Sequence, residues 1–114
     1  MKKRIPPYFF CILEYELAAE KKSCSGGYTK TGSFDSPTGC AESCKGKASM
    51  FEYGRQGTDG CPGASACLCY CFTDSSNGRC TKGQYGDANY DLYRFTQGSW
   101  SLTLTGFCSI YIIV

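Results

Sequence analysis

Three cysteines in alternation, Cys67, Cys69 and Cys71, constrain this chain more than any other feature. Side chains alternate across a strand, so all three project from one face of Ala66 to Phe72, with Leu68, Tyr70 and Phe72 on the other. A strand with cysteines on one side and apolar groups on the other is buried on both, which predicts a central place in a sheet. Ten of the 114 residues are cysteine. In a chain too short to bury a large core, that density marks a disulfide scaffold. Metal binding is the rival use of so many thiols. The chain has no histidine and no CxxC pair, the spacing that zinc sites usually use. Its 15% aromatic content also fits a packed core better than a flexible thiolate cluster. No metal and no cofactor are expected.

The composition divides the chain into three zones. Residues 1–22 begin Met-Lys-Lys-Arg, run apolar from Ile5 to Leu13 and end in small residues near Ala18-Ala19. That is the outline of a signal peptide. Pro6, Pro7, Glu14 and Glu16 interrupt it, so a plain N-terminal extension is the alternative. Residues 23–96 form a cysteine-rich module. Residues 97–114 form a tail, in which Trp100, Leu102 and Leu104 alternate with polar residues. The tail reads as one added strand or as disordered, and its apolar run is too short to cross a bilayer. No membrane span is expected. The net charge is +2, but Cys24 to Phe95 holds seven basic and seven acidic residues. A neutral module lacks the clustered basic face that nucleic acid requires.

With Cys11 in the leader and Cys108 in the tail, eight cysteines remain in the module: Cys24, Cys40, Cys44, Cys61, Cys67, Cys69, Cys71 and Cys80. Eight cysteines allow 105 pairings, and geometry narrows them. Asp35 or Ser36 can cap a helix with Pro37 in its first turn and Gly46 beyond its end. Cys40 and Cys44 then share one helix face at roughly 5–6 Å. Alternate strand positions are roughly 6.6–7 Å apart, so the helix can lie across the strand and bridge to it twice. Cys61, reached through Pro62-Gly63-Ala64-Ser65, suits the third strand cysteine. Cys24 and Cys80 are left to tie the ends together. Which helix cysteine meets which strand cysteine stays open.

Ser49 to Arg55 and Asn89 to Phe95 read as further strands, with Tyr28 to Phe34 as an edge strand before the helix. The fold class expected is small, disulfide-rich α+β: a short helix packed across an antiparallel sheet of three to five strands. The Cys-x3-Cys helix, Phe51-Glu52-Tyr53-Gly54, Cys69-Tyr70-Cys71 and Tyr90-Asp91-Leu92-Tyr93 together resemble the PAN/apple superfamily and its relative the WSC domain over residues 24–96. The Phe-x-Tyr-Gly strand with Cys-Tyr-Cys looks most like WSC, and the last strand more like PAN/apple. The loop from Arg55 to Ala66 is longer than a WSC domain would have, and Cys61 and Cys67 look like an added bridge. The resemblance implies an extracellular, non-enzymatic module that binds protein or glycan.

The residues support the same expectation. Without histidine, no Ser-His or Cys-His nucleophile pair exists within the chain. The carboxylates are scattered, and Asp87, Asn89 and Asp91 fall short of the oxygen set that calcium needs. Tyr and Arg are the types favoured at binding hot spots. The candidates are Arg55, Tyr53, Tyr70, Tyr90, Tyr93 and Arg94, with Arg55 first because it opens a Gly-rich loop and should be exposed. The function expected is a secreted recognition module for a glycan or an extracellular protein. The alternatives are a secreted effector (toxin, antimicrobial, or protease inhibitor using the loop Gly57 to Ser65) and a structural matrix component.

Overall fold

The computed structural model describes residues 10–12, 14–63, 65–96, 102–103 and 109–111. Among the described residues, ten strands and one helix follow one another: β1 (Phe10–Ile12), β2 (Tyr15–Ala19), β3 (Lys22–Cys24), β4 (Thr29–Phe34), α1 (Pro37–Cys44), β5 (Met50–Gly54), β6 (Cys67–Phe72), β7 (Gln84–Gly86), β8 (Tyr90–Phe95), β9 (Leu102–Thr103) and β10 (Ser109–Tyr111). The main sheet is antiparallel and five-stranded, in the order β2-β8-β5-β6-β4. A two-stranded ribbon, β3-β7, and a three-stranded sheet, β1-β10-β9, complete the fold. Among the described residues the tail thus supplies two strands, β9 and β10, and β10 pairs with β1, which precedes the module. Trp100, Leu104 and Cys108 lie outside the described residues.

The helix forms where its ends are satisfied. Ser36 is the cap: its side chain accepts from Gly39 N–H, and Pro37 occupies the first turn, where its missing N–H costs nothing. The last turn closes with Lys45 N–H donating to Ala41 C=O at 2.9 Å, and Gly46 turns the chain away at φ 85°. The buried side of α1 carries Cys40, Ala41 and Cys44. It lies over the sheet, where Cys40 bonds to Cys69 and Cys44 to Cys71, each with a Cα–Cα distance of 5.4 Å. Cys61 bonds to Cys67, and Cys24 to Cys80. The three strand cysteines are therefore one row facing the helix and the loop that follows β5.

Alternation in the sheet produces two separate cores. The helix face holds Phe51, Tyr53 and the strand cysteines, with Tyr15, Phe34, Tyr93 and Phe95 packed around them. Phe51 is the hub. Tyr93 stacks on it at 5.1 Å with a 7° interplanar angle, and Tyr15 meets it edge-on at 5.6 Å. The opposite face holds Met50, Phe72 and Leu92. There the β3-β7 ribbon covers the sheet, and the sulfurs of Cys24 and Cys80 approach Met50 Sδ at 3.8 and 3.7 Å.

β6 is interior, between β4 and β5, as its two apolar faces require, and the middle strand of the five is β5, all five of whose residues are buried. The sheet also extends beyond residues 23–96. Tyr15–Ala19, set apart in the sequence as leader or extension, is the edge strand β2, and the Tyr15 hydroxyl hydrogen-bonds Thr38 Oγ1 of the helix at 2.7 Å. Pairing along the free edge of β8 sets Tyr15 edge-on to both Phe51 and Tyr93, which a boundary drawn from composition alone misses.

The loop after β5 folds back on the strand it leaves. Leu68 N–H donates to Gly60 C=O at 2.8 Å, and Arg55 N–H to Asn89 C=O at 2.8 Å. Thr58 Oγ1 donates to Arg55 C=O at 2.7 Å and lies 3.2 Å from Asn89 C=O. Gly54 and Gly60 meet backbone to backbone at this point.

Candidate functional site

The six residues singled out from the sequence do not converge. Tyr53 points to the helix face, is 8% exposed and donates its hydroxyl to Phe34 C=O. Tyr93 is the ring stacked on Phe51. Burial raises the phenol pKa of both, as expected of core tyrosines. Arg55 is not free in solvent: it is half-buried, and its guanidinium holds Asp91 Oδ1 at 2.5 Å. That carboxylate oxygen also accepts from Lys21 N–H at 3.0 Å. Arg94 lies in solvent against Glu16, its cross-strand partner on β2. The Asp87–Asp91 oxygens are likewise engaged, since Asp87 Oδ1 accepts from Asn89 N–H at 3.1 Å.

Tyr70 and Tyr90 do meet, on the face opposite the helix, with ring centroids 5.7 Å apart at 85°. They line a cleft of about 250 Å³ that the sequence did not reveal as a unit. β3 contributes Ser23, β5 Glu52, β6 Tyr70 and Phe72, β7 Tyr85 and β8 Tyr90. Tyr28 closes one side, edge-on to Tyr70 at 5.1 Å. It is carried by the turn before β4, which is held where Gly27 N–H donates to Asp74 Oδ2 at 2.7 Å. Tyr28 and Tyr85 are 61% and 48% exposed, so two large aromatic rings stand at the mouth.

Glu52 forms the floor. It sits in the middle of the middle strand, 6% exposed, and accepts a 2.6 Å hydrogen bond from Ser23 Oγ. Burial raises its pKa from 4.5 to about 7. The Ser23 hydrogen bond opposes that rise and the charge of Asp87 adds to it. Burial, reinforced by a hydrogen bond with Tyr70, also raises the Tyr90 phenol, which stays protonated at ordinary pH. The sequence signal for this site was Glu52 itself, an acid placed between two aromatic residues of an otherwise apolar strand. Ser23, Tyr28, Tyr85 and Asp87 carry no local signal.

A carboxyl whose pKa is higher in the folded state binds more protons folded than unfolded. Its favourable contribution is complete below pH 4.5, where both states are protonated, and is lost as pH rises toward 7. Stability should therefore fall across that window and level off above it. Glu52→Gln keeps the size and the Ser23 contact but removes the titration. Melting curves from pH 4 to 8 should show a smaller slope for the variant and a higher melting temperature than wild type at pH 8. Parallel profiles would show that Glu52 does not titrate in this window.

The sulfurs of Cys40, Cys44 and Cys69 lie within 4.8 Å of one another. Cys40 and Cys69 are bonded to each other and Cys44 to Cys71, so this cluster holds no thiolate for a metal. Among the described residues, no helix is long and apolar enough to cross a membrane. No family model, curated protein or solved structure matches this chain.

Proposed function

We propose that this chain is a secreted, non-enzymatic recognition module that takes its ligand into the tyrosine cleft. One observation carries the reading: four tyrosines from four separate segments line one cleft, and two of them are exposed at its mouth. Exposed tyrosines in a preformed concavity supply large contact area at small entropic cost. Four disulfides suit an oxidising compartment, hence secretion. The resemblance to PAN/apple and WSC domains points to a glycan or an extracellular protein as the source of the bound group.

The test is a glycan array and a pull-down from extracellular fluid with wild type and Tyr85→Ala. Tyr85 is half-exposed on a short ribbon strand, so its loss should leave the melting temperature unchanged while weakening the hit at least about fivefold, the scale of a hot-spot tyrosine. Absence of any binder, or a binder indifferent to Tyr85→Ala, would remove the cleft from the account.

The loop Gly57 to Ser65 supports a second reading, protease inhibition. It is pinned by the Cys61–Cys67 bridge and leaves Pro62 and Gly63 exposed. Inhibition of a serine protease that is lost on replacing Pro62 would favour it over the cleft.

A further inference from the structure

The cleft is unusual in its charge. Its lining contains two carboxylic acids, Glu52 and Asp87, and no lysine or arginine. Two basic residues stand near it without lining it: Lys82 is turned to Asp74 at 3.9 Å, and Lys30 is the cross-strand partner of Tyr70 on β4. A sulfated, phosphorylated or carboxylated ligand would meet like charge from both acids of the lining. Of the hydroxyls that could serve a neutral sugar, Ser23 Oγ is already committed to Glu52 and the Tyr90 hydroxyl shares a hydrogen bond with Tyr70, which leaves those of Ser25, Tyr28 and Tyr85 in the lining.

The rings offer something else. Tyr28 stands at 79° to Tyr70, and Tyr70 at 85° to Tyr90. These rings pack edge-on to one another in a continuous aromatic lining, with Phe72 edge-on to Tyr28 and the Glu52 carboxyl in the same cleft. Aromatic faces attract cations, most strongly where water is excluded, and a nearby carboxylate balances the charge.

We propose that the cleft binds a small methylated ammonium group, held against the tyrosine rings with Glu52 and Asp87 as its counter-charges. This rests on the cleft being the ligand site and names the chemistry of what enters it. A trimethylammonium head has the compact, apolar, positively charged shape that a cleft of about 250 Å³ accommodates, and it needs no hydrogen-bond donors from the protein. Free choline and the side chain of a trimethylated lysine share that head.

The experiment titrates the intact, oxidised protein at pH 8 with choline, with a trimethyllysine peptide and with 3,3-dimethylbutanol, the neutral carbon isostere of choline, following backbone amide shifts. Choline or the peptide should shift the amides of Glu52, Tyr70, Tyr85 and Tyr90, and the tighter of the two identifies the source of the group. The isostere should bind at least about tenfold more weakly, the scale of a desolvated cation–π contact with its counter-charge. Tyr85→Ala and Glu52→Gln should each weaken choline binding by about tenfold. Equal binding of choline and its isostere, or no shift with either ammonium compound, overturns the proposal. If the ammonium compounds fail while a glycan or protein ligand still depends on Tyr85, the cleft remains the site and only its charge preference is wrong. If Glu52→Gln does not fold, the comparison of choline with its isostere still decides, because it needs no variant.

Discussion

Replacing Cys44 and Cys71 together by alanine should cost about 3–5 kcal/mol, a large share of the stability of a small domain. Two terms add. The bridge spans a sequence separation of 27, and cross-linking a loop of that length removes roughly 3–4 kcal/mol of chain entropy from the unfolded state. Both sulfurs are also fully buried between α1 and the sheet, so their removal leaves a void in the helix-face core. A small domain has only about 5–15 kcal/mol in total to lose. The Cys61–Cys67 bridge is the internal comparison. It spans a separation of only 6, for which the same entropy is about 2 kcal/mol. Urea unfolding of the two double variants should therefore place Cys44/Cys71 well below Cys61/Cys67. Equal losses would mean that loop closure does not govern these bridges.

Gly54→Ala should be nearly as damaging, at about 3 kcal/mol or more, though it adds a single methyl group. A Cβ at Gly54 would stand 1.8 Å from Gly60 C=O, and one at Gly60 would stand 2.3 Å from Asn89 C=O. These neighbours are backbone, so no side chain can rotate away. Relief requires lifting the loop from the end of β5, which would break the hydrogen bonds from Leu68 to Gly60 and from Arg55 to Asn89. Gly86→Ala is the control: nothing lies within 4 Å of its Cβ, and its φ is not in the left-handed region. It should change stability by less than about 0.5 kcal/mol. If thermal melts of the two variants coincide, the contact between Gly54 and Gly60 is looser than described.

The cysteines made much of the scaffold legible. A period of two in Cys67, Cys69 and Cys71 and a spacing of four in Cys40 and Cys44 are local patterns, and their distances match only if a helix crosses a strand. The cleft was less legible because it depends on register. Tyr53 and Tyr70 are equivalent in sequence, each an aromatic residue within a strand. The pairing places Tyr53 opposite Cys69 and Glu52 opposite Tyr70. That single register puts Tyr53 under the helix and Glu52 in the cleft, and no local pattern in either strand encodes it. Arg55 likewise looked exposed until Asp91, on the adjoining strand β8, came within reach.

The strand order has a consequence for how the chain is made. β8 is the last strand of the main sheet to be synthesised, yet it inserts between β2, the first, and β5, the middle one. Until residues 90–95 leave the ribosome, β2 has no partner in that sheet and β5 has only one. Cys40, Cys44, Cys69 and Cys71 are all available earlier, so oxidation can join helix to sheet while one side of β5 is still open. The bridges then hold a partly built sheet together while it waits for its keystone, and the domain can complete itself only after translation has passed Phe95.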